Sequence, residues 1–352
     1  MTLRVDDVRR VGTTELEIPV LGLGTCPLGG VYAAIDEPTA RATYEAAWDE
    51  GIRLYDTAPW YGLGQAEHRT GRALYERSRD TYILTTKVGR VLRAPRDRAA
   101  FVPPAWQGPL SFEPHHIFTY DAILRSYEDS LQRLGINQVD ALYIHDLDSG
   151  YFRTPEALDA KLRELDQGGG YRALEELKRA GEIKAIGAGI NERGMIRRFL
   201  ANADLDVFLV ASRYTLLEQE IYSDEIREAG KRGASIVVGG AFSSGILATG
   251  LIDGAKYEYG AVPENVVERV RRLSAIASDH GVALAAAALQ FPLAAPEVAS
   301  VVFGAVTPEE IRANVGHFVA PIPAAFWSEL HGEGLIAESV PIPSENGKST
   351  AA

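Results

Sequence analysis

Leu54-Tyr55-Asp56-Thr57-Ala58-Pro59-Trp60-Tyr61-Gly62 begins as an apolar run, ends that run on a carboxylate, and then turns. Two further runs finish in the same way. Thr81-Tyr82-Ile83-Leu84-Thr85-Thr86-Lys87 closes on an amine, and Val139-Asp140-Ala141-Leu142-Tyr143-Ile144-His145 closes on an imidazole. Short apolar, β-branched runs of this kind read as parallel strands buried on both faces. In a closed parallel barrel all the carboxyl ends of the strands open on one face, where active sites are built. Asp56, Lys87 and His145 then converge there, with Tyr61 on the turn just beyond.

Working outward, strand-like runs end near Gly24, Asp56, Lys87, His145, Gly189, Val210, Val238 and Phe303. Helical patterns fill the intervals. Pro38 to Glu50 starts with proline and stops at Gly51; Tyr120 to Leu134 stops at Gly135. Tyr171 to Ala180 and Pro263 to His280 also stop at glycines, and Thr307 caps Pro308 to Phe318. Strand–helix units in this number predict a (β/α)8 TIM barrel, with a short N-terminal hairpin around Val11 to Ile18 over its floor. Composition shows no break, so residues 1–343 read as one barrel domain and 344–352 as a small, polar, flexible tail. Three long segments follow strands and hang over the mouth as loops: Arg90 to His116, Asp146 to Asp166, and Phe242 to Gly260.

Composition narrows the partners. The 352 residues are 46% hydrophobic and carry a formal charge of −12, which argues against nucleic acid or an anionic membrane. No apolar run approaches the roughly 18 residues of a span, and the first residues lack the apolar core of a secretory signal. The single cysteine, Cys26, excludes an intramolecular disulfide and fits a reducing, cytoplasmic setting. A metal site is not expected: His115-His116 falls in a proline-rich loop without a carboxylate at ligand spacing. Gly168-Gly169-Gly170 lacks the preceding strand and the Lys-Ser/Thr of a phosphate loop.

The chemistry follows from the residue types. A tyrosine ordinarily keeps its proton to about pH 10, and a neighbouring ammonium stabilises the phenolate. A carboxylate beside the ammonium holds it charged and in place. A histidine in the same pocket orients a substrate oxygen. Asp56, Tyr61, Lys87 and His145 together can therefore move a proton at an alcohol or carbonyl. On the substrate side, Trp60, Trp106 and Phe101 offer flat apolar faces, and Asp146 and Asp148 offer acceptors for hydroxyls.

These stretches resemble the aldo-keto reductase superfamily. The likeness is carried by Asp56-Thr57-Ala58-Pro59-Trp60-Tyr61-Gly62, by Ser130 to Gly135 followed by Asp140 to His145, by Gly181 to Gly187, and by Gly245 to Gly250. It covers nearly the whole chain. Leu21 to Thr25, Arg125 to Leu131, His145 to Asp148 and Arg213 to Gln219 are most similar to its sugar dehydrogenase branch. The resemblance implies a TIM barrel and a nicotinamide dinucleotide bound across the mouth. It also implies Tyr61 as acid–base, Lys87 and Asp56 as its tuners, and His145 as substrate orienter. Cofactor contacts are implied at Thr25, Asp56, Asn191, Arg213, Ser243, Gly245, Leu247, Gly304, Glu310 and Asn314.

The chain departs from the family pattern in three places. Gly189 stands where many members have serine, Ala211 where glutamine is usual, and Gly239-Gly240 where an aromatic ring often stacks on the nicotinamide. Arg213 then either joins the nicotinamide cradle or pairs with a core carboxylate. Gly304, Ala305 and Glu310 replace the Lys, Ser and Arg that hold a 2′-phosphate, so NAD is expected over NADP. The expected activity is oxidation of an aldose of the L-fucose, L-galactose or D-arabinose type at C1 to the lactone. The alternatives are an NADPH-dependent aldehyde or ketone reductase, oxidation of pyridoxal to its lactone, and a cofactor-binding regulatory subunit without turnover. The expected partner is a small sugar or aldehyde, and the expected state monomer or homodimer.

Overall fold

A computed structural model describes residues 3–104, 106–258 and 260–344. The chain opens with an antiparallel hairpin, β1 (Val8–Arg10) and β2 (Glu17–Pro19), and then supplies β3 (Leu21–Gly24), β4 (Leu54–Asp56) and β5 (Ile83–Val88). A second antiparallel ribbon, β6 (Arg90–Arg93) and β7 (Glu113–His116), follows. The remaining strands are β8 (Ala141–His145), β9 (Ala185–Ile190), β10 (Val207–Ala211), β11 (Ser235–Gly239) and β12 (Val298–Phe303). Strands β3, β4, β5, β8, β9, β10, β11 and β12 pair in parallel and close on themselves through β12 and β3. The expected (β/α)8 barrel is the fold.

The interior is filled rather than hollow. Leu54, Tyr143, Val207, Leu209, Val237 and Val302 pack inside it with Val11, Leu16 and Ile18 of the hairpin, which plugs the floor. Room inside is tight enough to dictate residue type: a Cβ at Gly187 would lie 2.7 Å from the Tyr143 ring and 2.4 Å from the Val207 carbonyl oxygen. At the floor, two buried carboxylates stitch neighbouring strands. Asp140 accepts from Leu84 N at 2.9 Å, Arg79 Nη2 at 2.5 Å and Lys184 Nζ at 2.8 Å. Asp206 repeats the device with Ile186 N at 2.8 Å and Lys178 Nζ at 2.6 Å.

Helix boundaries follow the capping chemistry. Asp36 accepts from Thr39 N at 2.8 Å and opens Glu37–Asp49, a residue before the expected proline start. Tyr120–Leu134 ends on a left-handed Gly135, and Thr307 caps Pro308–Val319. Among the described residues, no helix is long and apolar enough to cross a membrane.

Two expected loops carry structure instead. The segment from Arg90 to His116 is pinned at its base by the β6–β7 ribbon, which pairs Arg90 with His116 and Arg93 with Glu113. The segment from Asp146 to Asp166 contains the helix Pro155–Gln167, opened by a Thr154 side-chain cap. The third, Phe242 to Gly260, holds one short helix, Ile246–Thr249. Of the expected flexible tail, residues 345–352 lie outside the described residues.

Candidate active site

Asp56 ends β4, Lys87 lies one residue before the end of β5, and His145 ends β8, so three strand ends deliver three polar groups to one mouth. Lys87 is almost wholly buried. Its Nζ donates to Asp56 Oδ2 at 2.6 Å and to the Thr57 carbonyl at 2.8 Å. The other Asp56 oxygen accepts from the Thr85 hydroxyl at 2.8 Å. A buried ion pair is retained only when such bonds fill its remaining valences. The Lys87 ammonium then points onward to the Tyr61 ring, 4.7 Å from its centroid.

Tyr61 is set by backbone rather than by a strand. It starts a tight turn in which Gly62, Leu63 and Gly64 all take positive φ (62°, 55° and 98°). A Cβ at Gly29 would lie 2.7 Å from both Gly62 N and the Tyr61 carbonyl carbon, so the loops after β3 and β4 touch backbone to backbone. The helix Gln65–Leu74 follows at once. Its buried Glu67 accepts from Thr86 on β5 at 2.8 Å and from Arg133 at 2.5 Å. The turn bearing Tyr61 is thereby braced against the strand bearing Lys87.

His145 meets Tyr61 edge to face, with ring centroids 5.7 Å apart. Burial, aided by the nearby cations Arg90 and Lys87, drives its pKa well below the usual 6.5, so the ring is neutral at ordinary pH. Its Nε2 is 3.4 Å from Asp146 Oδ2, while Nδ1 is buried without a partner. Four groups from separate stretches of chain thus form one continuous path: carboxylate, ammonium, phenol, imidazole.

The remaining expected contacts divide. Asp146 and Asp148, expected on the substrate side, are buried and already have protein partners. Asp146 accepts from Arg90 Nη2 at 2.5 Å and Asn191 Nδ2 at 2.7 Å; Asp148 accepts from Asn191 Nδ2 at 2.8 Å and Gly150 N at 3.1 Å. Burial raises the Asp148 pKa. Asn191 therefore offers its side-chain oxygen alone. Arg213 pairs at the rim with Glu258, with Glu218 at 3.9 Å, and donates to the Asn191 carbonyl at 2.6 Å. Its carboxylate partners thus lie at the rim rather than in the core.

Trp60 and Trp106 line the mouth 5.5 Å apart, and Trp106 is 6.1 Å from Tyr61. Phe112, not Phe101, packs into that cluster. Sequence reasoning missed Arg90, Tyr151 and His116, which also face this space. Arg90 is only three residues past Lys87, and a charged residue leaving a strand end toward the mouth was the available signal.

On the opposite side, small residues sit at three adjacent strand ends: Gly189, Ala211 and Gly239. A Cβ at Gly189 would reach only ordinary contact distance from Lys87 and His145, 3.8 and 3.9 Å. This leaves a side-chain-free shelf beside Lys87, with the Asn191 oxygen at the neighbouring loop to accept an amide N–H. A planar carboxamide-bearing ring fits those residues. Further round, Ser243 (φ 48°), Ser244 (φ 62°) and Gly245 (φ 96°) turn the loop after β11. Ser243 Oγ donates to Thr215 Oγ1 at 3.2 Å, and Leu247 N bonds the Phe242 carbonyl at 3.1 Å. Thr25 is buried, its N–H on the Asp56 carbonyl at 2.8 Å. Gly304 lies against Pro27, and a Cβ there would come 2.6 Å from its ring. Glu310 accepts from Val306 N at 2.8 Å in the first turn of Pro308–Val319, and Asn314 is buried on the same helix.

Comparison with known proteins places this geometry. The family model described as aldo/keto reductase matches residues 20–332. A pyridoxal 4-dehydrogenase of Microbacterium luteolum is 42% identical over 96% of this chain and 100% of its own length. A D-threo-aldose 1-dehydrogenase of a Pseudomonas species is 38% identical over 91% of this chain and 95% of its own. A solved glycerol dehydrogenase of Gluconobacter oxydans superposes with a TM-score of 0.71 over 96% of this chain and 98% of that one, at 24% identity, and speaks to the fold alone.

Proposed function

The chain belongs to the aldo/keto reductase family, an oxidoreductase family that works with a nicotinamide cofactor, and on that premise we propose that it oxidises a cyclic hemiacetal to its lactone. The observation that carries the chemistry is the buried Asp56–Lys87 pair aimed at Tyr61, with His145 edge-on beside it. The substrate class is supported by two relatives that are at least 38% identical and named for such substrates.

The first candidate is an aldose oxidised at C1. Tyr61, as phenolate stabilised by the Lys87 ammonium, takes the proton of the C1 hydroxyl. Neutral His145 donates or accepts a hydrogen bond at the same oxygen and fixes its position. Asp56 keeps Lys87 charged and in place. When bound, the oxidised nicotinamide supplies the acceptor for the hydride that leaves C1. The C1–H bond breaks, the C1–O bond becomes a carbonyl, and the hydroxyl proton ends on Tyr61. Trp60 and Trp106 offer apolar ring faces beside Tyr61 for the substrate ring. Pyridoxal is the second candidate, favoured by the 42% identical relative.

We read the cofactor as NAD. The first turn of Pro308–Val319 carries Glu309 and Glu310, and Arg312 on that helix is tied to Glu309 at 3.6 Å. A 2′-phosphate there would meet carboxylates rather than cations.

The test is near-ultraviolet absorbance of the reduced cofactor with L-fucose, L-galactose, D-arabinose and pyridoxal, each with NAD⁺ and NADP⁺. Reduction of NAD⁺ with lactone formation, lost in Tyr61→Phe, is the expected result. Failure with every hemiacetal, together with NADPH consumption by simple aldehydes, would replace this reading with a general reductase.

A further inference from the structure

Arg90 opens β6 at the mouth and is 1% exposed. Its guanidinium lies between two rings, with Cζ 4.3 Å from the centroid of Trp60 and 4.2 Å from that of Tyr151. Nη2 is bound to Asp146, and the Tyr151 hydroxyl also interacts with the guanidinium, but Nε and Nη1 are buried and make no hydrogen bond of ordinary geometry. Arg69, also buried, is the internal contrast. Its Nε donates to Glu37 at 2.8 Å, its Nη1 to the Leu28 carbonyl, and its Nη2 to the Ile35 carbonyl at 2.6 Å. Arg69 is satisfied at all three guanidinium nitrogens; Arg90 is satisfied at one.

The neighbourhood repeats the pattern. His116 Nε2, His145 Nδ1 and Trp106 Nε1 are also buried and unpartnered. Ring contacts join these residues into one box: His116 to Tyr151 at 5.1 Å, Tyr151 to Trp60 at 6.3 Å, Trp60 to Trp106, Trp106 to Tyr61, and Tyr61 to His145. Buried polar groups without partners are costly, and more so when charged; Arg90 and Trp106 are donors only, so this cluster in the mouth calls for a ligand that supplies acceptors to them.

We propose that Arg90 is a specificity-determining residue whose Nε–H and Nη1–H take oxygen substituents of the substrate ring. Arg90 has only donors to give, so the recognised atoms are acceptors: ring hydroxyl oxygens or a phenolate oxygen. Asp146 already compensates the guanidinium charge, so a neutral polyhydroxylated ring satisfies the site without bringing an anion. The enzyme then selects hydroxylated hemiacetals over deoxygenated ones, because loss of the oxygen strands a buried donor. This rests on the hemiacetal reading above.

The test compares the wild type with Arg90→Lys, which keeps a cation on Asp146 and removes Nε and Nη1. Arg90→Met serves as a second variant, and thermal melting checks the fold of each. The substrates are L-fucose and its monodeoxy analogues, and pyridoxal with and without its phenolic hydroxyl. The wild type should lose on the order of tenfold to a hundredfold in kcat/KM on one deoxygenated analogue. Arg90→Lys should lose that factor on the parent compound, mostly in KM, and lose nothing further on that analogue. An equal loss across parent and all analogues would overturn the proposal and make Arg90 a support for Asp146 alone. If the wild type oxidises no hemiacetal, the functional reading fails separately. Quenching of tryptophan fluorescence by the same sugars and by pyridoxal then decides the point: binding that Arg90→Lys leaves unchanged overturns it.

Discussion

The floor and the mouth of this barrel handle buried charge in opposite ways. At the floor, both oxygens of Asp140 and both of Asp206 are used, by strand N–H groups and by Arg79, Lys184 and Lys178. At the mouth, both oxygens of Asp56 are used and Lys87 makes two hydrogen bonds, but several groups around them make fewer. Arg90 keeps two nitrogens without an ordinary hydrogen bond, and His145, His116 and Trp106 keep one each. The same stitches of carboxylate to cation serve two ends of the same strands. At the floor the bonds are closed and the pairs serve folding; at the mouth several polar groups stay open, as the proposed role of Arg90 in substrate recognition requires. The contrast predicts that substitutions at the two ends separate chemistry from stability.

The largest effect is expected at the mouth. Tyr61→Phe should lower kcat by about 10²–10⁴-fold, the range for removing a general acid–base group, with its melting temperature close to wild type. A large loss of stability would show that the turn at Gly62–Gly64 depends on the hydroxyl and would blur the division. The converse is Asp140→Ala at the floor. It strands Leu84 N–H and two cations and should cost about 2–4 kcal/mol of stability in urea unfolding, leaving kcat per folded molecule unchanged.

Acid offers a smaller and graded test. His116 is pushed down from 6.5 to about 4 by burial and by Arg90, and His145 lies well below 6.5 for the same reasons. A depressed histidine binds fewer protons folded than unfolded. Its stabilising share is therefore complete above pH 6.5 and is lost as pH falls toward 4. The melting temperature should drop across that window, and His116→Gln should shallow the drop. An identical slope in the variant would mean that carboxylates, not the mouth histidines, set acid stability. The smallest effect concerns the cofactor rim: Glu310→Lys should shift preference toward NADP by about tenfold in kcat/KM, at some cost in helix capping.

Much of the architecture was legible because each barrel strand is a short, mostly apolar run, and three of the eight carry a charged or titratable group at the carboxyl end. Asp56, Lys87 and His145 announce themselves by breaking hydrophobic runs, and the barrel brings them together with Tyr61. The β6–β7 ribbon was not legible. Glu113-Pro114-His115-His116 has neither alternation nor β-branched residues, and the register comes from its anchoring to Arg90–Arg93 rather than from its own pattern. The helix Pro155–Gln167 had a signal, Thr154-Pro155, hidden by reading the stretch after His145 as one loop. Arg90 carried a positional signal, its charge just past the Lys87 strand end, but its role was hidden for a different reason. Its environment is built from three distant stretches, at Trp60, at His116 and at Asp146 to Tyr151, and no local pattern encodes which nitrogens of a guanidinium stay unpaired.

The ribbon at the mouth has a bearing on how such a protein can diversify. Arg90 and His116 are locked opposite each other, as are Arg93 and Glu113, so the 94–112 stretch is an appendage on a closed clamp. Its tip is exposed at Val102, while Trp106 is buried in the mouth. Residues gained or lost along that stretch are absorbed beyond the clamp and leave β5 and β8 in register. Lineages that lengthen, shorten or rewrite it can exchange the wall a substrate meets while inheriting the reactive groups intact. In this chain the reactive groups and the variable-length wall sit on separate lengths of polypeptide, the wall being closed at its base by four residue pairs.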